Sequence, residues 1–239
     1  MSDSTRRSRK LFTNRRGGFS LPPYGSFNLG AHVGDDSVAV EKNRQRLADG
    51  MGIARERFVY MEQIHSNTVT VVDGPVSAAV PATDALVTTT PGLALVVLVA
   101  DCVPVLLSDD VAGVAAAVHA GRIGARNGIV RRSVEKMVEL GARPENIHAL
   151  LGPAASGARY EVPEPMAVDV EKHLPGSKVW TQQGTAGIDV RAGLIRQLYG
   201  LGVSHVNVEP SCTIGSEEYF SYRREGATGR QAGVVVLPE

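Results

Sequence analysis

Four short apolar runs follow one another between Ala85 and Val118 with only two or three residues between them. They are Ala85 to Thr89, Leu93 to Ala100, Val103 to Leu107 and Val111 to Val118, with Thr-Pro-Gly dividing the first pair and Asp109-Asp110 the last. Runs of this length that are apolar at odd and even positions alike are expected as central strands covered on both faces. A chain holding them must place material on either side of its sheets.

The flanking segments supply that material. Leu11 to Asp36 is dense in Gly, Pro, Asn and Ser and reads as an ordered loop. Ser37 can cap a helix over Val38 to Met51 that stops at Gly52. Phe58 to Met61 and Thr68 to Val72 carry β-branched and aromatic residues and are expected as strands. Ile129 to Leu140 has helical spacing and ends at Gly141, and helices are expected again at Glu164 to His173 and Val190 to Leu201. Ile147 to Leu151, Val203 to Val208 and Gly233 to Leu237 complete the strands. The expected architecture is a single α/β domain of the α+β kind over residues 11–239, with central mixed β-sheets flanked by helices. At 239 residues the chain fits the roughly 200–250 that such single domains reach.

Twenty-five basic residues balance twenty-five acidic ones, so no overall field draws the protein to nucleic acid or to anionic lipid. Leu93 to Leu107 is the longest apolar stretch, but Asp101, Cys102 and Pro104 interrupt it short of the roughly 20 residues of a membrane span. Residues 1–10 carry Arg6, Arg7, Arg9 and Lys10 without a hydrophobic segment behind them, and read as a disordered basic tail rather than a secretory signal. Two cysteines are too few for a disulfide framework, which fits a reducing cytoplasm, with Cys212 expected as a plain buried thiol.

His65, Cys102 and His119 each lie where an apolar run meets a polar break. Imidazole and thiolate are the usual zinc donors, and three protein ligands with a fourth position open describe a catalytic site. Each residue taken singly also fits a hydrogen-bonded core position, and their spacing matches no local zinc signature. Asp101, beside Cys102, is the expected orienting partner of a histidine ligand, with Asp84 ranked behind it. Gly121, Gly124 and Gly128, with Arg122 and Arg126, bring close backbone approach and charge to a helix start, a pattern suited to phosphate. Near the end of the chain, Phe220 to Arg230 holds three arginines that could grip an anion, although composition favours a solvated hairpin. His32 lies in a glycine-bounded loop placed for a site.

Read in order, Asn-Leu-Gly-Ala-His-Val-Gly-Asp (28–35), Gln-Ile-His (63–65), Ala-Asp-Cys-Val-Pro-Val (100–105), Val-His-Ala-Gly (118–121), Leu-Gly-Pro (151–153) and Phe-Ser-Tyr-Arg-Arg (220–224) resemble the YfiH family. It is also called the laccase-domain, polyphenol oxidase or peptidoglycan editing factor family. The resemblance implies a single α/β domain distantly similar to the cysteine-histidine deamidase toxins, with zinc held by His65, Cys102 and His119. It further implies a purine nucleoside phosphorylase acting on purine nucleosides and phosphate, with adenosine deaminase and methylthioadenosine phosphorylase activity. Asp101, Cys102 and His119 are the expected catalytic residues, and Asn28, His32, Arg44, Arg122 and Arg223 the expected substrate or phosphate contacts. In deamination the metal is expected to lower the pKa of its water toward about 7.

Other readings stay open: copper in place of zinc with oxidation of phenols, a cell-wall precursor editing hydrolase built on Cys102, or a metal-stabilised binding protein for a cell-envelope or division partner. Monomer and homodimer are both compatible with the chain. One departure stands out, because the family pattern His-Ala-Gly-Trp-Arg-Gly is replaced here by His119-Ala-Gly-Arg122-Ile123-Gly124.

Overall fold

A computed structural model describes residues 7–239. The described elements, in chain order, are β1 (Arg9–Phe12), α1 (Ser37–Met51), β2 (Phe58–Val59), β3 (Val69–Val71), β4 (Ala85–Thr88), β5 (Ala94–Val99), β6 (Val103–Asp109) and β7 (Val114–Ala120). They continue with α2 (Arg122–Arg126), α3 (Ile129–Glu139), β8 (His148–Leu151), α4 (Glu164–His173), β9 (Lys178–Trp180), β10 (Ala186–Ile188), α5 (Val190–Gly200), β11 (His205–Val208), α6 (Tyr222–Glu225) and β12 (Gln231–Val236).

The apolar runs form the centres of two sheets. One has the order β1-β12-β5-β2 and the other β11-β8-β6-β7-β4-β3, and both are mixed. The double-sided apolar pattern has a direct cause in four packed layers. On β5, Ala94, Val96 and Leu98 meet Leu47, Ala48 and Met51 of α1, while Leu95, Val97 and Val99 meet Leu106, Ala115 and Ala117 of the larger sheet. On the far side of that sheet, Val105, Leu107, Ala116 and Val118 pack against Ile129, Val130, Val134 and Met137 of α3 and Leu194 and Leu198 of α5. Each fully buried Leu, Ile or Val contributes about 1.5–3 kcal/mol, so these three seams dominate stability. A mixed α/β single domain, as expected from the runs, is what results.

Boundaries differ from expectation where local hydrogen bonding decides. Asp36, not Ser37, caps α1, its carboxylate accepting from the amides of Val38 and Ala39, and Gly52 closes the helix in the left-handed region at φ 63°. Met1–Arg6 of the expected tail lie outside the described residues, but Arg9 and Lys10 belong to β1, paired with Val236 and Val235. Their charges are anchored, since Arg9 donates to the Met51 carbonyl and Lys10 to that of His148. Short α2, α6 and the β9-β10 pair fall in glycine-rich segments whose periodicity is too brief to announce them.

Two loops are tied together by a residue without a sequence signal. Arg191 is buried, and its guanidinium donates to the carbonyls of Glu209, Pro210 and Ser211 at 2.8, 3.2 and 3.1 Å and to that of Gly152. This draws the segment around Cys212 against Ala154, where the two residues form a bridge. Cys212 is half-buried and accepts from the Ser156 amide, so the expected plain buried thiol is in fact hydrogen-bonded at a loop junction. No described helix is long and apolar enough to cross a membrane.

Candidate metal centre and pocket

Strand register brings the chemistry to one edge of the larger sheet. β4 and β7 pair with Ala85 opposite Val118, and β6 and β7 pair with Pro104 opposite His119. Asp84, Cys102 and His119 therefore converge at the strand ends, and the loop after β2 brings His65 over them. Among the described residues, His65, Cys102 and His119 form the one group of three or more such side chains able to hold a metal ion, their donor atoms all within 4.8 Å of one another.

Asp84 organises this group. It is fully buried, and its carboxylate accepts from the amides of His65 and Ser66 at 3.0 and 2.6 Å, from the Ile64 amide at 3.3 Å and from the Ser66 hydroxyl at 2.6 Å. Those bonds hold the loop while His65 sits in the left-handed region at φ 61°, a conformation that ordinarily costs a β-carbon-bearing residue about 1–3 kcal/mol. The same carboxylate lies 2.8 Å from His119 Nδ1. A carboxylate can only accept, so Nδ1 carries a proton, and Nε2 is the nitrogen that a metal would take in exchange for any proton there.

Ionisation follows. Burial raises the Asp84 pKa, but the bonds from His119 and Ser66 outweigh it and hold the group at about 2. Burial likewise opposes ionisation of Cys102, yet the neighbouring imidazoles of His119 and His65 pull its thiol down to about 6. For His119, burial lowers the pKa and the Cys102 and Asp84 charges raise it to about 9. The thiolate needed by a metal is thus the favoured form at neutral pH.

The donor set fits a tetrahedral ion. Zinc at ordinary bond lengths spaces its nitrogen and sulfur donors by about 3.3–3.6 Å, and His65 Nε2 stands 3.9 Å from Cys102 Sγ. Space at the centre is kept by Gly121, where a β-carbon would lie 2.9 Å from Cys102 Sγ, 3.0 Å from His65 Cδ2 and 3.6 Å from His119 Nε2. Its φ of −72° suits any residue, so the requirement for glycine comes from the donors. Gly121→Ala is expected to keep the fold and to bind zinc at least about tenfold more weakly, read by competition with a chromogenic chelator. Equal affinity would remove this role from Gly121.

Around the cluster opens a cavity of about 330 Å³. Its lining joins apolar side chains, Leu98, Val99, Val103 and Val190 with Tyr160 and Tyr222, to Arg122, Arg223, Arg230 and His32. Arg223 stacks over the Tyr160 ring at 4.9 Å, and among the described residues none of the three pocket arginines has an ion pair. His32 is held below its ordinary pKa by burial and by the charges of Arg230, Arg44 and His119.

Several expected site residues stand elsewhere or act differently. Asp101 lines the cavity but does not orient a histidine; at φ 89°, its carboxylate accepts from Thr213 Oγ1 at 2.6 Å and from the Arg223 amide at 2.7 Å. Asp84 holds the histidine instead. Asn28 is fully buried behind the cavity wall, bonded to Gly30, Asp35 and the Arg230 amide. Arg44 lies outside the lining, donating to the Leu29 carbonyl and covering the Tyr60 ring at 4.1 Å. Arg126 is engaged by Asp169 at 2.5 and 2.8 Å. The expected hairpin around Arg223 is the short helix α6 with Ser221 as its cap, and Arg224 spends its donors on the carbonyls of Thr213, Ser216 and Tyr219. Ile123, at the family arginine position, is 42% exposed and outside the cavity lining, while Arg122 lines it.

Sequence reasoning passed over Arg230, Gln63, Tyr160 and Tyr222. Gln63 and Tyr222 stood inside the quoted motifs Gln-Ile-His and Phe-Ser-Tyr-Arg-Arg without being singled out, and Arg230 was the last arginine of the cluster read as a hairpin.

Known proteins share this arrangement of layers. Residues 9–238 match the family described as multi-copper polyphenol oxidoreductase laccase. A purine nucleoside phosphorylase of Corynebacterium glutamicum is 66% identical over 233 residues, covering 97% of this chain and 95% of its own. One from Mycobacterium tuberculosis is 53% identical over 229 residues, covering 96% and 92%. Among solved structures, YlmD from Geobacillus stearothermophilus superposes with a TM-score of 0.91 at 31% identity, over 100% of this chain and 94% of that one. The Bacillus licheniformis protein YfiH gives 0.89 at 29% identity, over 96% and 92%. A match that runs from the first described strand to the last, over the same layers, makes this chain a member of the YfiH laccase-domain family.

Proposed function

We propose that this protein is a zinc-dependent purine nucleoside phosphorylase that also deaminates adenosine and cleaves methylthioadenosine. The observation that carries the reading is the pairing, in the lining of one cavity, of apolar and aromatic side chains with three guanidinium groups that, among the described residues, lack carboxylate partners. A purine nucleoside and a phosphate dianion need such unlike surfaces side by side, and relatives at 66% and 53% identity bear the name purine nucleoside phosphorylase.

His65, Cys102 and His119 would hold the ion, which when bound supplies Lewis acidity at an open fourth position. Asp84 keeps the His119 proton on Nδ1 and so keeps Nε2 a donor of electrons. Tyr160 and Tyr222, with Leu98 and Val190, offer flat and apolar surface to a purine, and the arginines draw phosphate out of water beside it. In phosphorolysis a phosphate oxygen bonds to the ribose anomeric carbon as the bond to purine nitrogen breaks, and the purine leaves with that electron pair and takes a proton. Asn28 and Arg44 are positioned behind the cavity and contribute through what they support.

Two observations weigh against copper oxidation of phenols. Multicopper chemistry needs more ligands than the one three-residue group found among the described residues. The usual weak axial side chain for a single copper also finds no candidate in the lining, which holds no methionine and whose one side-chain amide, Gln63, gives both its ends to the Leu98 backbone at 2.7 and 2.8 Å. The Cys102–His119–Asp84 sequence of contacts does favour a second reading, a cysteine hydrolase with His119 as base. In that reading His65 would only help to keep the Cys102 thiolate ionised, without acting as a ligand.

Zinc-loaded protein is expected to release hypoxanthine from inosine only when phosphate is present, to form inosine from adenosine without phosphate, and to show no visible absorption after copper loading. Iodoacetamide should label Cys102 far more slowly when zinc is bound. Hypoxanthine release independent of phosphate, or labelling indifferent to zinc, would displace the phosphorylase in favour of the hydrolase.

A further inference from the structure

Of the three arginines lining the cavity, Arg230 alone, among the described residues, has its guanidinium held by hydrogen bonds, and its backbone and stem are fixed as well. Asn28, fully buried, turns its side-chain oxygen onto the Arg230 amide at 2.8 Å and the Gly30 amide at 2.9 Å, and its nitrogen onto Asp35 at 2.9 Å. The aliphatic stem of Arg230 then lies across Gly30, so closely that a β-carbon there would be 2.8 Å from Arg230 Cγ and 3.2 Å from its Cβ. A side chain so placed has few rotamers left.

The guanidinium is divided between structure and cavity. Nη1 donates to the carbonyls of Thr228 and Gly229, both at 2.9 Å. Among the described residues, Nε and Nη2 donate to nothing, and no carboxylate pairs with the charge. That free Nε–Nη2 edge is the fork that takes two oxygens of a tetrahedral anion side by side. Arg122 and Arg223 differ: Arg122 has no hydrogen-bonded seat on its short helix, and Arg223 is exposed and committed to the Tyr160 face.

Resting on the phosphorylase reading, we propose that Arg230 is the phosphate-holding residue of this cavity, its Nε–Nη2 edge receiving two oxygens of inorganic phosphate while Asn28 and Gly30 fix its position. Two oxygens held in the fork leave another to bond to the anomeric carbon as the bond to purine nitrogen breaks. Arg122 and Arg223 gather and screen the anion without setting its register.

The test uses zinc-loaded full-length protein in two arms. In steady-state kinetics, Arg230→Met is expected to raise the KM for phosphate about 100-fold, the loss of a charge-assisted fork, with the KM for inosine within about twofold. Arg230→Lys restores only part, because a point charge cannot form the fork. Gly30→Ala, which touches no charge, is expected to raise the phosphate KM about tenfold by pushing the stem aside. Equal rises in both constants, or an unchanged phosphate KM in Arg230→Met, would overturn the proposal.

The second arm is equilibrium dialysis with radiolabelled inorganic phosphate, which needs no turnover. Binding by the unaltered protein that is lost in Arg230→Met supports the site even if no phosphorolysis is seen, in which case the phosphorylase reading fails alone. Absent binding in the unaltered protein, or retained binding in Arg230→Met, removes the site itself. Inosine monophosphate in competition separates free phosphate from a phosphate ester: Arg230-dependent binding of the ester without binding of phosphate would overturn the assignment to the free ion.

Discussion

Protein carrying His119→Ala is expected to purify with little zinc and to convert inosine at least about 10³-fold more slowly than the unaltered chain. The magnitude comes from losing several kcal/mol of charge stabilisation at one decade of rate per 1.36 kcal/mol. His119 is 3% exposed and contributes one of only three donors, so two ligands remain and the buried imidazole is replaced by a void. Elemental analysis and hypoxanthine release, measured on the same preparation, check the two halves together. Full turnover by a protein that has lost its zinc would end the metal role.

The second large effect is expected at Asp84. Removing its carboxylate in Asp84→Ala leaves the buried His119 ring nitrogen and the part-buried amides of His65 and Ser66 without their acceptor. At about 1–3 kcal/mol for each unsatisfied group, partly relieved by loop movement, the loss is about 3–5 kcal/mol. For a chain of this size that lowers Tm by roughly 10 °C. Zinc affinity is expected to fall about 10–100-fold as well, because His119 loses the partner that fixes its tautomer. Asp101→Asn supplies the contrast: Asp101 contacts Thr213 and the Arg223 amide, so zinc content should be untouched. Calorimetry and chelator competition on both variants decide the matter, and a zinc defect in Asp101→Asn with none in Asp84→Ala would reverse the assignment.

The contrast between these two aspartates shows how far the sequence could be read. Both stand at the end of an apolar run, but only Asp101 adjoins a candidate ligand in the sequence, and adjacency to Cys102 favoured it. What decides is pairing across β4 and β7, which sets Asp84 opposite His119 although 35 residues separate them. Local spacing carries no record of register. The apolar runs, by contrast, announced both their strand nature and their two-sided burial, because packing on two faces demands Val, Leu and Ala at every position. The three side chains able to hold a metal were legible as imidazole and thiolate groups next to apolar runs, although their spacing alone did not bring them together. Arg230 was hidden because its role depends on Asn28 and Gly30, about two hundred residues away, and on donors that only coordinates can show to be free.

The order β1-β12-β5-β2 has a consequence for synthesis. β5 reads Ala-Leu-Val-Val-Leu-Val, and of its two neighbours β2 covers only Ala94 and Leu95. The full-length partner, β12, begins at Gln231, more than a hundred residues downstream. While those residues are being made, six uncharged strand-forming positions expose an unpaired edge, the kind of segment that recruits identical copies from neighbouring chains. Yield in a cell should therefore follow how fast elongation delivers β12, and chaperones that shield nascent edges should matter more to this protein than its finished stability suggests.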